Sequence, residues 1–212
     1  AGRTAMMFVS EPARGGDAGG PSVARAERTA CLDAACEFLA RERRTEVAVA
    51  QGLPDPTEQW AIEAFLDARF VNVGRLAYMR RALGDRIPAG PGANPWPAGV
   101  SVGTAEALSP RELTETLVAT LNASYTDTLD CPGLCGLRAT GDILASHQST
   151  GEFDPRLWWI VRLDRKPLGC LLLNPCPEQR TVELVYIGLA PELRGKGLAK
   201  RLLVDGMTAV CA

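Results

Sequence analysis

The run Arg194-Gly195-Lys196-Gly197-Leu198-Ala199 constrains this chain more than any other. It stands between an apolar, strand-like stretch at residues 182–189 and a pattern with Leu198, Leu202, Leu203 and Met207 on one helical face. Strand, glycine loop and helix in that order form a recipe for holding a pyrophosphate. Glycines let the backbone approach phosphate oxygens, and successive N–H groups converge into a nest. The helix start adds the positive end of its dipole, roughly half a charge. Arg194 and Lys196 are read as full positive charges at the rim.

Other glycine loops fit less well. A Walker A loop needs Ser or Thr after Gly-Lys, and here Gly197 follows Lys196. A dinucleotide fingerprint needs a third glycine where Lys200 stands, after the first strand of a βαβ unit, whereas this loop follows an antiparallel-looking meander. The plain alternative is a glycine turn that caps a helix with its cations solvated.

Two blocks of elements flank a Pro/Gly-rich stretch. Residues 4–9 read as a strand, followed by a glycine-rich loop and a long helix opened by Pro21-Ser22. Residues 46–50 read as a strand, and Trp60, Ala61, Ala64, Phe65 and Ala68 mark a second helix. Residues 70–73 and 76–79 read as two short strands. Residues 83–98, rich in proline and glycine, are taken as a linker. Beyond it come a strand at 100–107, a capping box at Ser109-Pro110-Arg111-Glu112, and Leu113, Leu117 and Leu121 at helical spacing. A helix near 140–147 and three strands at 157–163, 168–174 and 182–189 follow, with a turn at 164–167. The chain opens directly before a strand and closes inside a helix, so both ends read as cut.

Charge and cysteine content narrow the function classes. A net charge of −2 with no basic block gives no footprint for nucleic acid. No apolar run approaches the roughly 20 residues of a membrane span. Seven cysteines with one histidine, His147, do not form a metal-ligand pattern, so no metal site is expected. Reduced thiols in a cytoplasmic protein are the expectation.

The run from Val185 to Leu203 resembles motif A of the GNAT superfamily of N-acyltransferases, matching its Arg-x-x-Gly-x-Ala loop at Arg194, Gly197 and Ala199. The resemblance implies an α/β fold whose central sheet is mixed, mostly antiparallel and flanked by helices. It also implies acetyl-CoA as acyl donor. The pantetheine arm would pair with the backbone of Ile187 and Leu189 across Gly188, and the pyrophosphate would sit on Arg194, Gly195, Lys196, Gly197, Leu198 and Ala199. A small-molecule or peptide amine would attack the thioester. Family members often place a basic carboxylate on this strand. Period-2 counting puts Glu183 on the face of Val185, Ile187 and Leu189. A solvated strand-end glutamate beside Arg180 is the equal alternative. Residues 99–212 look like the first part of such a domain, and residues 1–82 like the last part of a degenerate copy. In that copy Arg14-Gly15-Gly16-Asp17-Ala18 sets an acid where phosphate would lie. The layout is that of two incomplete GNAT-like halves from a tandem protein. A CoA-binding or scaffolding module without catalysis is the rival.

Overall fold

The computed structural model describes residues 3–11, 20–42, 46–83 and 96–211. The Arg14–Ala18 loop with its Asp17, and most of the Pro/Gly-rich stretch, lie outside the described residues. The chain divides into two compact units, Arg3–Arg75 with Gly136–Arg138, and Leu76–Cys135 with Ala139–Ala212.

In the first unit β1 (Thr4–Met7) pairs in parallel with β2 (Val49–Gly52), and α1 (Pro21–Arg41) makes the connection that parallel strands require. Pro21 sits at the first helical position, where its missing N–H costs nothing. The next helix, α2 (Gln59–Asp67), packs Ala64 and Phe65 against Leu32 of α1, with Ala68 closing the cluster. Arg69, at φ 65°, ends α2 in the left-handed region, and the Phe70 N–H donates to the Phe65 carbonyl at 3.0 Å. The strands expected at 70–73 and 76–79 do not form. Residues 70–83 carry neither helix nor strand, and Val71, Tyr78 and Met79 are exposed. Alternating β-branched and aromatic residues fit a pleated surface, but they make a strand only where a neighbour offers a ladder.

The second unit is built on an antiparallel sheet. Its strands β3 (Val100–Thr104), β4 (Trp158–Leu163), β5 (Lys166–Cys176) and β6 (Thr181–Leu189) lie side by side in chain order. β4 and β5 join through Asp164-Arg165, both at positive φ (48° and 68°), the two-residue turn whose twist suits a hairpin. Between β3 and β4 come α3 (Pro110–Tyr125) and α4 (Thr140–Gln148). The capping box forms as expected: the Glu112 N–H donates to Ser109 Oγ at 3.4 Å, and the Ser109 N–H to Glu112 Oε2 at 2.9 Å.

Each face of the sheet has its own core. On one face Leu113, Leu117 and Leu121 of α3 and Leu144 of α4 cover Trp158, Ile160, Cys170 and Leu172. On the other, Leu198 and Leu202 of the final helix α5 (Leu198–Cys211) cover Val161, Leu171, Leu173 and Leu189. Trp158 is fully buried and donates from Nε1 to Asn174 Oδ1 at 2.6 Å, while Trp159 is half-buried on the α5 face. Among the described residues no helix is long and apolar enough to cross a membrane, and no group of three or more His, Cys, Asp or Glu is placed to hold a metal ion.

Candidate functional site

The β5–β6 ladder is regular from Gly169↔Leu189 to Leu172↔Tyr186, then slips: Leu173 pairs with Leu184 and Asn174 with Glu183. Val185 is therefore an extra residue, a bulge on the edge strand. A bulge shifts the side-chain alternation by one. Period-2 counting across residues 183–189 fails for that reason. Ile187 and Leu189 lie on the α5 face, whereas Glu183 shares the α3/α4 face with Tyr186 and Gly188. Glu183 is exposed.

The free edge of β6 follows from the same ladder. The Ala190 N–H donates inward to the Leu168 carbonyl at 2.7 Å. Because antiparallel backbone groups alternate inward and outward, Ile187 and Leu189 direct theirs to the unpaired edge. The Leu189 carbonyl accepts there from Arg194 Nε at 2.8 Å.

Beyond β6 the chain makes one turn at Pro191–Leu193, closed by the Arg194 N–H on the Pro191 carbonyl at 3.1 Å. Leu193 and Leu198 anchor the two ends of the loop in the core, at 0% and 4% exposure. Between them Gly195 and Gly197 hold φ of 72° and 71°, a region open to glycine at no steric cost. The backbone turns its donors outward as a result. The N–H groups of Gly195, Lys196, Gly197, Leu198, Ala199 and Lys200 find no acceptor among the described residues, and the first helical bond runs from Arg201 to Gly197 at 3.2 Å. Of residues 195–200, all except Lys196 line a groove of about 280 Å³, together with Ile187, Gly188, Leu189, Leu193 and Arg194. A concave run of donors at a helix start is built to take an anion.

The two loop cations behave differently from the rim charges expected of them. Arg194 turns away from the groove mouth toward the end of α3. Nη2 donates to the Ser124 and Thr126 carbonyls at 3.0 and 2.7 Å, and Nη1 to the Asp127 carbonyl at 3.0 Å. With the bond to Leu189, four of the five guanidinium N–H groups are spent on backbone carbonyls. Arg194 thus caps the C-terminus of α3 and fastens the loop to it. Sequence gives no hint of this, because its partners are carbonyls 67 to 70 residues away. Lys196 donates to the Glu192 carbonyl at 2.7 Å and stays exposed. Truncating Arg194 to Ala is expected to cost at least about 2 kcal/mol, since each bond from a charged donor is worth about 1.5–3 kcal/mol and they are not additive. Arg194→Lys is expected to restore little of it, because an ammonium cannot reproduce the planar fork. Urea unfolding midpoints of the three proteins check this.

Residues 121–205 match the Acetyltransferase (GNAT) family, a stretch that runs from within α3 to within α5 and includes β6 and the whole loop. Among solved structures, PH1933 from Pyrococcus horikoshii OT3 is 13% identical over 53% of this chain and 71% of its own, with a TM-score of 0.38. A GCN5-related N-acetyltransferase from Sphaerobacter thermophilus is 20% identical over 59% of this chain, with a TM-score of 0.36. The chain spans 35% of the length of that Sphaerobacter protein. No curated protein matches the chain.

Proposed function

We propose that the protein is an N-acyltransferase that takes an acetyl group from acetyl-CoA and delivers it to an amine. The observation that carries the reading is the row of six N–H groups, from Gly195 to Lys200, that have no acceptor among the described residues, following an edge strand whose outward backbone groups lie at Ile187 and Leu189. The nest suits a pyrophosphate. The strand edge suits a pantetheine arm, whose two amides can bond to it as another strand would.

In this reading Gly195, Lys196, Gly197, Leu198 and Ala199 hold the phosphates, and Ile187, Gly188 and Leu189 guide the arm. Arg194 is a positioning residue that fixes the loop against α3. Glu183 is the candidate base on the α3/α4 face. The amine nitrogen bonds to the thioester carbonyl carbon, the C–S bond breaks with its electron pair leaving on the sulfur as CoA thiolate, and the proton shed by nitrogen goes to the Glu183 carboxylate. The acceptor is a small-molecule or peptide amine. Seven cysteines, all free, support a reducing, cytoplasmic setting. The first unit is read as a degenerate GNAT-like half, with residues 83–98 as linker and residues 99–212 as the acyl-CoA-binding half.

Calorimetric titration of the chain with acetyl-CoA and with unacylated CoA tests the proposal. Binding of both with one site per chain is expected. Failure of either to bind at millimolar concentration would remove the acyltransferase reading.

A further inference from the structure

We propose that Tyr186, latched in place by Ser124, is the wall that sets which acyl donors the site accepts; this rests on the acyl-CoA reading above. An extended pantetheine arm reaches roughly 15 Å, the length of four to five residues of strand. Running back along β6 from Leu189, it brings its sulfur to the bulge at Val185 and Tyr186. The acyl group therefore arrives where β6 leaves its ladder and re-aims its side chains.

Tyr186 occupies that place on the α3/α4 face. Its ring lies across Gly188, where a Cβ would collide with the Tyr186 hydroxyl and come within 2.6 Å of Cε1 and 2.7 Å of Cζ. The ring is held on three sides. Ser124 Oγ gives its one proton to the Leu121 carbonyl at 2.9 Å, so the Tyr186 hydroxyl is the donor in the 2.9 Å bond between the two side chains. Tyr125 meets the ring edge-on at 5.7 Å, and His147 stacks on it at 5.7 Å. Burial pushes the Tyr186 hydroxyl up to about 12, so it stays protonated, and the latch stays closed, throughout neutral pH.

A two-carbon acyl group fits beside such a wall without moving it. A longer chain must displace the ring, which breaks the bond to Ser124 and both ring contacts. Neither Gly188 nor Ser124 is a reacting group, yet each fixes the wall: Gly188 by leaving room for the ring, Ser124 by holding its end.

The test titrates acetyl-, butyryl- and hexanoyl-CoA into the whole chain, with unacylated CoA as reference. Wild type should lose at least tenfold in affinity from acetyl- to hexanoyl-CoA. Tyr186→Ala should shift the hexanoyl-to-acetyl ratio by at least tenfold toward the longer chain, and Tyr186→Phe, which keeps the ring but loses the bond to Ser124, should fall between wild type and Tyr186→Ala. Tyr186→Leu, which keeps apolar contact at smaller size, serves if the alanine variant does not melt cooperatively, and its ratio should shift the same way. An unchanged ratio in a folded Ala or Leu variant, or no chain-length discrimination in wild type, overturns the wall. Loss of unacylated CoA binding by wild type would instead overturn the acyl-CoA reading.

Discussion

Replacing Gly197 with Asp should weaken CoA binding at least a hundredfold, about 2.7 kcal/mol, while leaving the fold largely intact. Space does not decide the outcome, because a Cβ at Gly197 meets nothing within 4 Å. Two other effects do. At φ 71° an L residue adopts a left-handed conformation that costs roughly 1–2 kcal/mol. A carboxylate would also stand among the N–H groups intended for phosphate and repel a ligand of the same sign. Variants separate the two. Gly197→Asn accepts the left-handed conformation with no charge, so it should lose far less affinity than Gly197→Asp. Gly197→Ala carries only strain and should fall between wild type and Asp. Equal affinities for wild type and Gly197→Asp would show that the phosphates lie elsewhere. Calorimetric dissociation constants for CoA check the series.

Glu183→Gln should lower the rate of acyl transfer at neutral pH by about a hundredfold, with CoA affinity nearly unchanged. A primary amine with pKa near 10 is protonated at pH 7 and cannot attack until it loses a proton. The bulge sets Glu183 on the α3/α4 face, away from the face that Ile187 and Leu189 present to α5. On that side it can serve an acceptor without crowding the cofactor. The variant should recover part of its rate as pH rises, because free amine then no longer depends on a protein base. An unchanged rate at pH 7 would return Glu183 to the role of a solvated residue at the strand start. Steady-state rates across pH 6.5–9.5 with a panel of primary amines are the measurement.

Local signals in the sequence survive well in the structure. The capping box at Ser109 and Glu112 forms where residue identity alone predicts it, because both partners lie within one helical turn. The hairpin at Asp164-Arg165 falls within the expected turn. The two glycines of the loop adopt the positive φ that makes a nest, which is the property their presence advertises. What sequence does not carry is backbone irregularity and distant partners. One extra residue at Val185 reverses the face of Glu183, yet alternating apolar residues look the same with or without it. Arg194 reads as a phosphate ligand by position, but the carbonyls at the end of α3 claim its guanidinium first. Tyr186 two residues before Gly188 does hint at a ring lying over a missing side chain, since i and i+2 share a face. Only the contact with Ser124 shows where that ring ends. The absent strands at 70–73 and 76–79 make the converse point, for there the pattern is present and no ladder forms among the described residues.

Amide hydrogen exchange of the chain with and without CoA tests the central claim most directly. The account predicts that CoA slows exchange at Gly195, Lys196, Gly197, Leu198, Ala199 and Lys200, whose N–H groups lack acceptors among the described residues. A second protected patch should appear at the outward N–H groups of Ile187 and Leu189, and α1 should show no change. Protection confined to residues 20–41, or binding that leaves 195–200 exchanging as fast as before, would contradict it.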